Sequence, residues 1–361
     1  MRLYTKEESV KRMNKLGALH RPFIFVINYN QDASYIEEPD TVDSAELLFD
    51  FNGYSNATEA VFCGTDEGEQ TTREEKSKRD SLQAAKNPEE KGGTSCIIVS
   101  PVFWQPYPQP FDSYHFSFQI VRDHILAGNS FLTNLTCETL VETNLTLKAI
   151  YERSHAMYKL WVKDAFTVFS PEIFVRIHSG MIYSYPMKGT IDASLPNAVQ
   201  CLMEDEKEAA EHATIVDLIR NDLSMIADRV HVSRYRYVDT LHTNRGDILQ
   251  TSSEIQGVLP DDFYPQLGSL LFRLLPAGSI TGAPKKKTME IIREAETYQR
   301  GFYTGIMGYF DGENLDSAVM IRFVEQRDNH LFFKSGGGIT FQSDAVSEYN
   351  EMKQKVYVPI Y

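Results

Sequence analysis

The chain has 361 residues, of which 42% are hydrophobic and 12% aromatic, and its formal net charge is −14 at pH 7. This apolar content is enough for a large core and excludes an intrinsically disordered chain, and the acidic balance makes nucleic acid and anionic membranes poor partners. At about 150 residues per domain, the length predicts two domains or one large intertwined one.

The N-terminal residues and the cysteines predict a cytoplasmic protein. Residues 1–17, MRLYTKEESVKRMNKLG, are charged and lack the apolar segment of a signal peptide. No apolar run approaches the roughly 20 residues that span a bilayer. None of the cysteines has a neighbour at the spacing of a metal site or a redox pair. They are Cys63, Cys96, Cys137 and Cys201.

The N-terminal part predicts two buried strands separated by a charged segment. RPFIFVINYN (21–30) and SCIIVSPVFW (95–104) are apolar and typical of buried strands. Between them, 14 of the 28 residues at 66–93 are charged, which leaves too little apolar surface to bury a face. We therefore expect a mobile surface loop there.

A proline-rich segment, QPYPQP at 105–110, marks the predicted boundary between two parts of the chain. Residues 1–110 are expected to form a strand-rich subdomain that carries the charged loop. Residues 111–361 are expected to form the catalytic domain, and the two are expected to intertwine.

The larger part mixes helices and strands without regular alternation, which favours an α+β fold over a doubly wound α/β fold. Helices are predicted where apolar residues recur at helical spacing, and strands where apolar runs end at glycine or a turn. The longest predicted helix has Ala209, His212, Ile215, Ile219 and Met225 as candidates for its buried side. The predicted helices cover 116–128, 205–230, 264–276, 284–296 and 343–357, and the strands lie within 165–190, 301–310, 315–327 and 330–339.

Two of these helices each carry a pair of glutamates three residues apart. Glu208 and Glu211 share one helix face, and Glu348 and Glu351 share a face of the other. If the two faces meet, the carboxylates would suit Mg²⁺, which takes oxygen ligands and leaves positions for an anionic substrate. The alternative is that all four are ordinary solvated glutamates.

Two glycine-containing segments and one arginine are candidates for anion binding. LLPAGSITGAPKKKT (274–288) would present backbone amides near a helix start, although it lacks the ending of a P-loop. SGGGI (335–339) places three glycines in a predicted strand, which indicates close approach by a ligand or another backbone. Arg322, inside the apolar strand AVMIRFV, would clamp a carboxylate. The alternatives are a plain loop and an arginine at the rim of the sheet.

Taken together, the motifs resemble those of the chorismate-utilising enzymes over residues 116–361, in that family's order. The resemblance implies two facing, mostly antiparallel β-sheets flanked by helices, with the active site in a cleft near the sheet edges. The motifs are GNSFLTNLT, SPE at 170–172, PMKGT, EAAEHATIVDLIRNDL, GSITGAPK, GIMGY, IRF, GGGI and EYNE.

Within that family, the chain is most similar to the aminodeoxychorismate synthases. The resemblance implies transaminase-type amination of chorismate to 4-amino-4-deoxychorismate, which leads to p-aminobenzoate and folate. The related anthranilate synthases usually have alanine where this chain has Lys188. Isochorismate and salicylate synthases have a lysine, which acts as a base for water, at the position where this chain has Leu132. The absence of that lysine argues against water as the nucleophile. An anthranilate synthase component and a non-catalytic protein of the same fold remain the alternatives.

The resemblance also implies a role for each candidate residue. Lys188, in YSYPMKGTI, would attack ring C2, and Glu172 would protonate the departing C4 hydroxyl. Mg²⁺ would bind the ring carboxylate. Its ligands would be Glu208, Glu211, Glu348 and Glu351. The ring and the pyruvyl carboxylate would contact Thr281, Gly282, Tyr309, Arg322 and the amides of Gly336, Gly337 and Gly338.

The proposed chemistry requires a neutral lysine and a source of ammonia. A lysine amine attacks only when neutral, so the pKa of Lys188 should be depressed from about 10.4 by burial and a nearby cation. The sequence shows no cysteine nucleophile elbow and no Cys/His/Glu set for glutamine hydrolysis. Ammonia should therefore come from a glutamine amidotransferase subunit in a heterodimer.

Overall fold

The computed structural model describes residues 1–57, 101–243 and 246–360. The predicted charged loop at 66–93 and most of the predicted strand at 95–104 lie outside these residues. The described helices are α1 (Lys6–Ala18), α2 (Phe111–Leu126), α3 (Leu147–Arg153), α4 (Ala198–Glu204), α5 (Glu206–Leu223), α6 (Leu267–Leu274), α7 (Lys285–Ala295) and α8 (Ala345–Gln354).

The strands and helices follow one another in irregular runs, as predicted. Their bounds are β1 (Phe23–Ile27), β2 (Ser34–Glu37), β3 (Leu47–Phe51), β4 (Tyr54–Ser55), β5 (Trp104–Tyr107), β6 (Leu132–Thr143), β7 (Tyr158–Val162), β8 (Phe166–Ser170), β9 (Ile173–His178), β10 (Met181–Ser184), β11 (Met187–Asp192), β12 (Asp228–Thr243), β13 (Gly246–Val258), β14 (Gly282–Ala283), β15 (Ile306–Phe310), β16 (Leu315–Val319), β17 (Phe323–Arg327) and β18 (His330–Ile339).

The described strands form two nine-stranded antiparallel sheets. The first has the order β11-β13-β10-β9-β16-β15-β1-β2, with β12 also paired to β13. The second has the order β14-β6-β18-β17-β8-β7-β3-β4, with β5 also paired to β6. This arrangement confirms the predicted α+β fold with two mostly antiparallel sheets.

The two sheets pack face to face through one hydrophobic layer. Side chains of β1, β15 and β16 from the first sheet meet side chains of β3, β7 and β8 from the second. On the outer face of the first sheet lie α1, α5 and α6. The second sheet is covered by α3 in one cluster and by α2, α7 and α8 in another. The helices therefore flank a sheet sandwich, as predicted.

The two helices with glutamate pairs both begin at an aspartate cap. The Asp205 side chain accepts a hydrogen bond from the Glu208 amide, and the Asp344 side chain accepts one from the Ser347 amide. Such caps satisfy amides that have no partner inside the helix and set where the helix begins. The caps thus fix the register in which the glutamates project.

Three details differ from the predictions. α5 ends at Leu223, not near residue 230, because the chain turns there and enters β12. Met225 is consequently 41% exposed and not on the buried side of the helix. Arg322 does not lie inside a strand. It occupies the connection by which the chain passes from β16 in one sheet to β17 in the other, with φ at 53°.

The N-terminal strands lie within both sheets. β1 pairs with β15 in the first sheet, and β3 pairs with β7 in the second. The boundary at residue 110 between two subdomains stays a prediction. Among the described helices, none is both long and apolar enough to cross a membrane.

Candidate active site

A cavity of about 590 Å³ brings together most of the predicted site residues. Its walls come from the segment around β10 and β11, from α5, from the segment before β14, from β18 and from α8. The predicted residues that line it are Glu172, Lys188, Glu208, Glu211, Arg322, Gly336, Gly337, Gly338, Glu348 and Glu351.

Lys188 reaches this cavity from a β-bulge in β11. The pairing of β11 with β13 shifts register between Lys188 and Thr190, and Gly189 between them has φ at 69°. A glycine accepts this backbone at little cost, and a bulge re-aims the neighbouring side chain. The Thr251 hydroxyl donates to the Lys188 carbonyl and holds the bulge in place. The glycine of the PMKGT motif therefore positions the lysine.

The Lys188 amine forms an ion pair with Oε2 of Glu211. The two side chains are 28% and 9% exposed, so the pair is largely shielded from water. Burial alone lowers the pKa of Lys188, but the carboxylates of Glu211, Glu208 and Glu351 outweigh burial and raise it. This is the opposite of the depression that nucleophilic attack requires, because the site holds uncompensated carboxylates.

Both glutamate pairs line the cavity, and each lies beside a glycine. A Cβ added to Gly189 would lie 3.4 Å from Oε2 of Glu208, and one added to Gly337 would lie 3.3 Å from Oε2 of Glu348. Burial raises the pKa of Glu208 and, likewise, of Glu348. For Glu351, burial is outweighed by the Lys355 ammonium, which lowers its pKa.

The donor chemistry of this cluster suits a hard divalent cation. All four side chains offer carboxylate oxygens, and Oε2 of Glu208 is buried without a hydrogen-bond partner. In the described part of the chain, however, no three His, Cys, Asp or Glu side chains converge closely enough to hold a metal ion as they stand. Lysines contact two of the glutamates instead, Lys188 at Glu211 and Lys355 at Glu351.

Glu172 lies between strands β8 and β9 and accepts a hydrogen bond from the Ser279 hydroxyl at 2.5 Å. Burial raises its pKa, while the hydrogen bond from Ser279 and the charges of Lys355 and Lys188 oppose that rise. A carboxyl with a raised pKa keeps its proton at higher pH, which is the state that a general acid needs.

The three glycines of β18 present a strand edge to the cavity. β17 pairs with β18 only as far as Lys334, whereas β6 continues alongside Gly336, Gly337 and Gly338 on the other edge. The carbonyl of Gly336 accepts a hydrogen bond from the Lys355 amine at 2.9 Å. The uncovered edge is therefore available to a ligand.

Arg322 lies beside this edge. Its Nη1 donates to the Lys355 carbonyl at 2.9 Å, and its guanidinium lies 4.7 Å from the centre of the Tyr357 ring. The left-handed backbone of a non-glycine residue is uncommon and often occurs at functional sites. A guanidinium held in this way can bind a carboxylate with two hydrogen bonds.

Three predicted residues do not line the cavity. Gly282 pairs with Thr133 of β6, where a Cβ would lie 1.9 Å from the Leu132 carbonyl, and Thr281 is fully buried next to it. The cavity is lined instead by the preceding residues 277–280. Tyr309 lines a separate cavity of about 270 Å³ and packs on Tyr54 at 4.6 Å between ring centres.

The reason for the Tyr309 error is its place in the strand. Tyr309 packs against the same cluster between the sheets as Met307 and Tyr303, but it lies near the far end of β15, six residues after Tyr303, so distance along the strand separates it from the cavity. Tyr303, which precedes β15, lines the cavity instead. The position of each tyrosine along the chain, and not its membership of the motif, therefore decides that Tyr303 and not Tyr309 lines the cavity.

Two contributors to the cavity were missed. Lys355 caps the C-terminus of α8 four residues after Glu351, and this i, i+4 spacing could have identified it as a partner. Ser279 lies two residues before Thr281 in the same loop, and no sequence signal distinguishes the two hydroxyls.

A buried ion pair supports the wall next to this loop. The Lys285 amine lies 2.7 Å from Oδ2 of Asp222 and also donates to the Leu274 carbonyl at 2.6 Å. Burial raises the pKa of Asp222 and lowers the pKa of Lys285. The pair joins the IRNDL motif of α5 to the GAPK motif at the start of α7.

Comparison with known proteins places these features in a family context. A family model described as chorismate binding enzyme matches residues 2–360. The chain is 51% identical over 272 residues to an uncharacterized PabA-like protein of Haemophilus influenzae, covering 74% of this chain and 83% of that protein. It is 32% identical over 289 residues to a protein named probable chloroplastic aminodeoxychorismate synthase of Oryza sativa subsp. japonica, covering 74% of this chain and 32% of that one.

Among solved structures, the chain is similar to anthranilate synthase component I from Streptococcus pneumoniae TIGR4. The TM-score is 0.60 and the sequence identity 28%, with 71% of this chain covered. The match spans 59% of that chain, so this protein corresponds to less than two thirds of it.

Proposed function

The chain belongs to the chorismate binding enzyme family, and from this premise we propose that it is aminodeoxychorismate synthase component I. In this proposal it converts chorismate and ammonia to 4-amino-4-deoxychorismate and water. A separate lyase would then release p-aminobenzoate for folate synthesis. We further propose that the reaction takes place in the cytoplasm.

The observation that carries the proposal is the presence of Lys188 and Glu172 in the same cavity as the four glutamates. A nucleophilic amine, a carboxyl with a raised pKa and an anionic cluster suited to a divalent cation are the groups that the reaction needs. The resemblance distinguishes this reaction from anthranilate formation by the lysine at position 188.

Lys188 and Glu172 carry the bond changes of the proposed mechanism. The neutral amine of Lys188 adds to ring C2 as the bond from C4 to its hydroxyl breaks, and the Glu172 proton leaves with that hydroxyl as water. Ammonia then adds at C4, and the bond between C2 and Lys188 breaks to regenerate the amine. A proton from the newly formed ammonium group restores Glu172. Without proton donation the leaving group would be hydroxide, which departs poorly.

Substrate orientation is assigned to two sets of groups. Arg322 and the strand edge at Gly336–Gly338 would hold the pyruvyl carboxylate. Glu208, Glu211, Glu348 and Glu351 would hold Mg²⁺, which when bound supplies positive charge for the ring carboxylate in an otherwise anionic cavity. These assignments use residues that line the cavity and leave Tyr309, Thr281 and Gly282 without a substrate contact.

We assign the ammonia supply to a separate glutamine amidotransferase subunit, so that the working form is a heterodimer. The support is chemical, because the sequence offers no cysteine-based glutaminase set of its own. Free ammonium at high concentration should replace the partner in vitro.

Anthranilate synthase component I is the second candidate function. It is favoured by the similarity to the solved S. pneumoniae protein of that name. The two reactions differ in product, since anthranilate is fluorescent and 4-amino-4-deoxychorismate requires a lyase to give an aromatic product.

The test is incubation of the protein with chorismate, ammonium and Mg²⁺, followed by mass spectrometry of the product. The expected product is 4-amino-4-deoxychorismate, which yields p-aminobenzoate when a lyase is added. Lys188→Ala should abolish product formation, with Lys353→Ala as a control outside the cavity. Formation of anthranilate, or full activity in Lys188→Ala, would reject the proposal.

A further inference from the structure

The ion pair between Lys188 and Glu211 occupies an oxygen that the proposed function assigns to a metal ion. The Lys188 amine contacts Oε2 of Glu211, whose side chain is only 9% exposed, and Lys207 approaches Oε1 of the same carboxylate at 3.8 Å. Both oxygens of Glu211 therefore face ammonium groups. A divalent cation that approaches Oε2 as a ligand is repelled by the Lys188 ammonium in contact with the same oxygen.

We propose that Lys188 and the divalent cation compete for the Glu211 carboxylate, so that metal binding releases Lys188 from its ion pair. The inference rests on the proposed function in taking Glu211 as a metal ligand. It adds that the lysine is held in a paired, unreactive state until the cation arrives. Metal loading then does two things at once, since it charges the cavity positively and frees the amine.

Burial makes Lys188 the principal competitor among the three lysines near the cluster. Lys355 lies 2.8 Å from Glu351, but that carboxylate is 54% exposed, and Lys207 is 49% exposed. Exposed pairs four residues apart on a helix contribute little because water and salt screen them. The Lys188 pair is shielded, so its loss leaves Glu211 as a largely buried carboxylate whose remaining partner is the exposed Lys207 at 3.8 Å, and this carboxylate attracts another cation.

The same competition explains the arrangement of the glutamates. Oε2 of Glu208 is buried without a hydrogen-bond partner, while its neighbour Glu211 is turned to Lys188. Within the described part of the chain, no group of three acidic side chains converges as metal ligands. Release of Lys188 would free the Glu211 oxygen to join Glu208.

The test is a titration with Mn²⁺, a paramagnetic substitute for Mg²⁺, followed by electron paramagnetic resonance in the absence of chorismate. Lys188→Met should bind Mn²⁺ at least about tenfold more tightly than the unaltered protein, because the competing ammonium is gone. Lys188→Gln provides a second neutral variant should Lys188→Met fail to fold, as judged by circular dichroism.

Two control variants separate competition from a general charge effect. Lys188→Arg keeps the positive charge next to Glu211 and should bind Mn²⁺ within about threefold of the unaltered protein. Lys353→Met removes the same charge from α8, where Lys353 packs on the Tyr349 ring at 4.4 Å, and should also change affinity by less than about threefold.

The outcomes are distinct from those of the product assay. Unchanged or weaker Mn²⁺ binding in both neutral Lys188 variants would overturn the competition, even if the unaltered protein makes 4-amino-4-deoxychorismate. An equal gain in Lys353→Met would overturn it as well. Tighter binding in the neutral variants alone supports it, whatever product the chorismate assay identifies.

Discussion

The hydroxyl of Ser279 donates a hydrogen bond to Oε1 of Glu172, joining residues 107 positions apart in the chain. This contact ties the proposed general acid to the loop that precedes β14. Burial also raises the pKa of Glu172, so this carboxyl keeps its proton to higher pH than an ordinary glutamate while the hydrogen bond fixes its orientation. Substitution of Glu172 therefore tests whether this carboxyl is the general acid of the proposed reaction.

Glu172→Gln should lower kcat by about 10²-fold or more, because the amide cannot donate a proton to the departing hydroxyl. Ser279→Ala should lower kcat less, since it removes only the contact that orients Glu172. Steady-state kinetics of both variants with ammonium as the amine source would measure this. A larger loss in Ser279→Ala than in Glu172→Gln would contradict the assignment of the acid.

The pH dependence of turnover should show the raised pKa of Glu172. The carboxyl is protonated below its folded-state pKa, which lies above the ordinary value of 4.5, and activity should fall as the pH rises through it. Glu172→Gln should lose this descending limb, because the amide has no proton to release in this range. Profiles of kcat against pH for the two proteins decide the point, and an identical descending limb in both would exclude Glu172 as its source.

Lys285→Met should destabilise the protein by about 3 kcal/mol, because it leaves Asp222 buried without its partner. The double variant Asp222→Leu with Lys285→Met should recover most of this loss, since burial disfavours the charge on both side chains. Urea denaturation followed by circular dichroism gives the free energies of unfolding.

The neighbouring exposed lysine serves as the control for that experiment. Lys286→Met removes the same charge at the start of α7 and should change the free energy of unfolding by less than about 0.5 kcal/mol. A double variant as unstable as Lys285→Met would show that the ion pair itself is needed.

Two adjacent glycines of β18 should respond differently to alanine. A Cβ at Gly336 would lie 2.3 Å from the Leu135 carbonyl, so Gly336→Ala should destabilise the fold strongly. A Cβ at Gly337 would meet only side-chain atoms, the nearest being Oε2 of Glu348 at 3.3 Å. Gly337→Ala should therefore fold and lose activity through the glutamate cluster. Thermal unfolding and turnover measured on both variants test this, and equal melting temperatures would count against it.

Local sequence patterns were sufficient to predict most helices and strands and several of the residues that line the cavity. The i, i+3 spacing of Glu208 with Glu211, and of Glu348 with Glu351, predicts shared helix faces because helical geometry depends only on sequence distance. The bulge at Lys188 is likewise local, since a glycine follows it. The prediction for Tyr309 differs from the structure because a strand is extended, so a residue near the far end of β15 lies well away from the cavity that Tyr303 lines.

The sequence by itself determined that two helices would each present paired carboxylates, that the fold would be α+β, and that a lone lysine would stand at a turn in a strand; the two antiparallel sheets were implied by the family resemblance. Only the tertiary structure decided that Lys188 pairs with Glu211, that Ser279 and not Thr281 reaches the cavity, and that Arg322 marks the crossing between sheets. The reason is that periodicity records which way each residue faces along its own element. Which elements then meet depends on packing between segments that are distant in the chain.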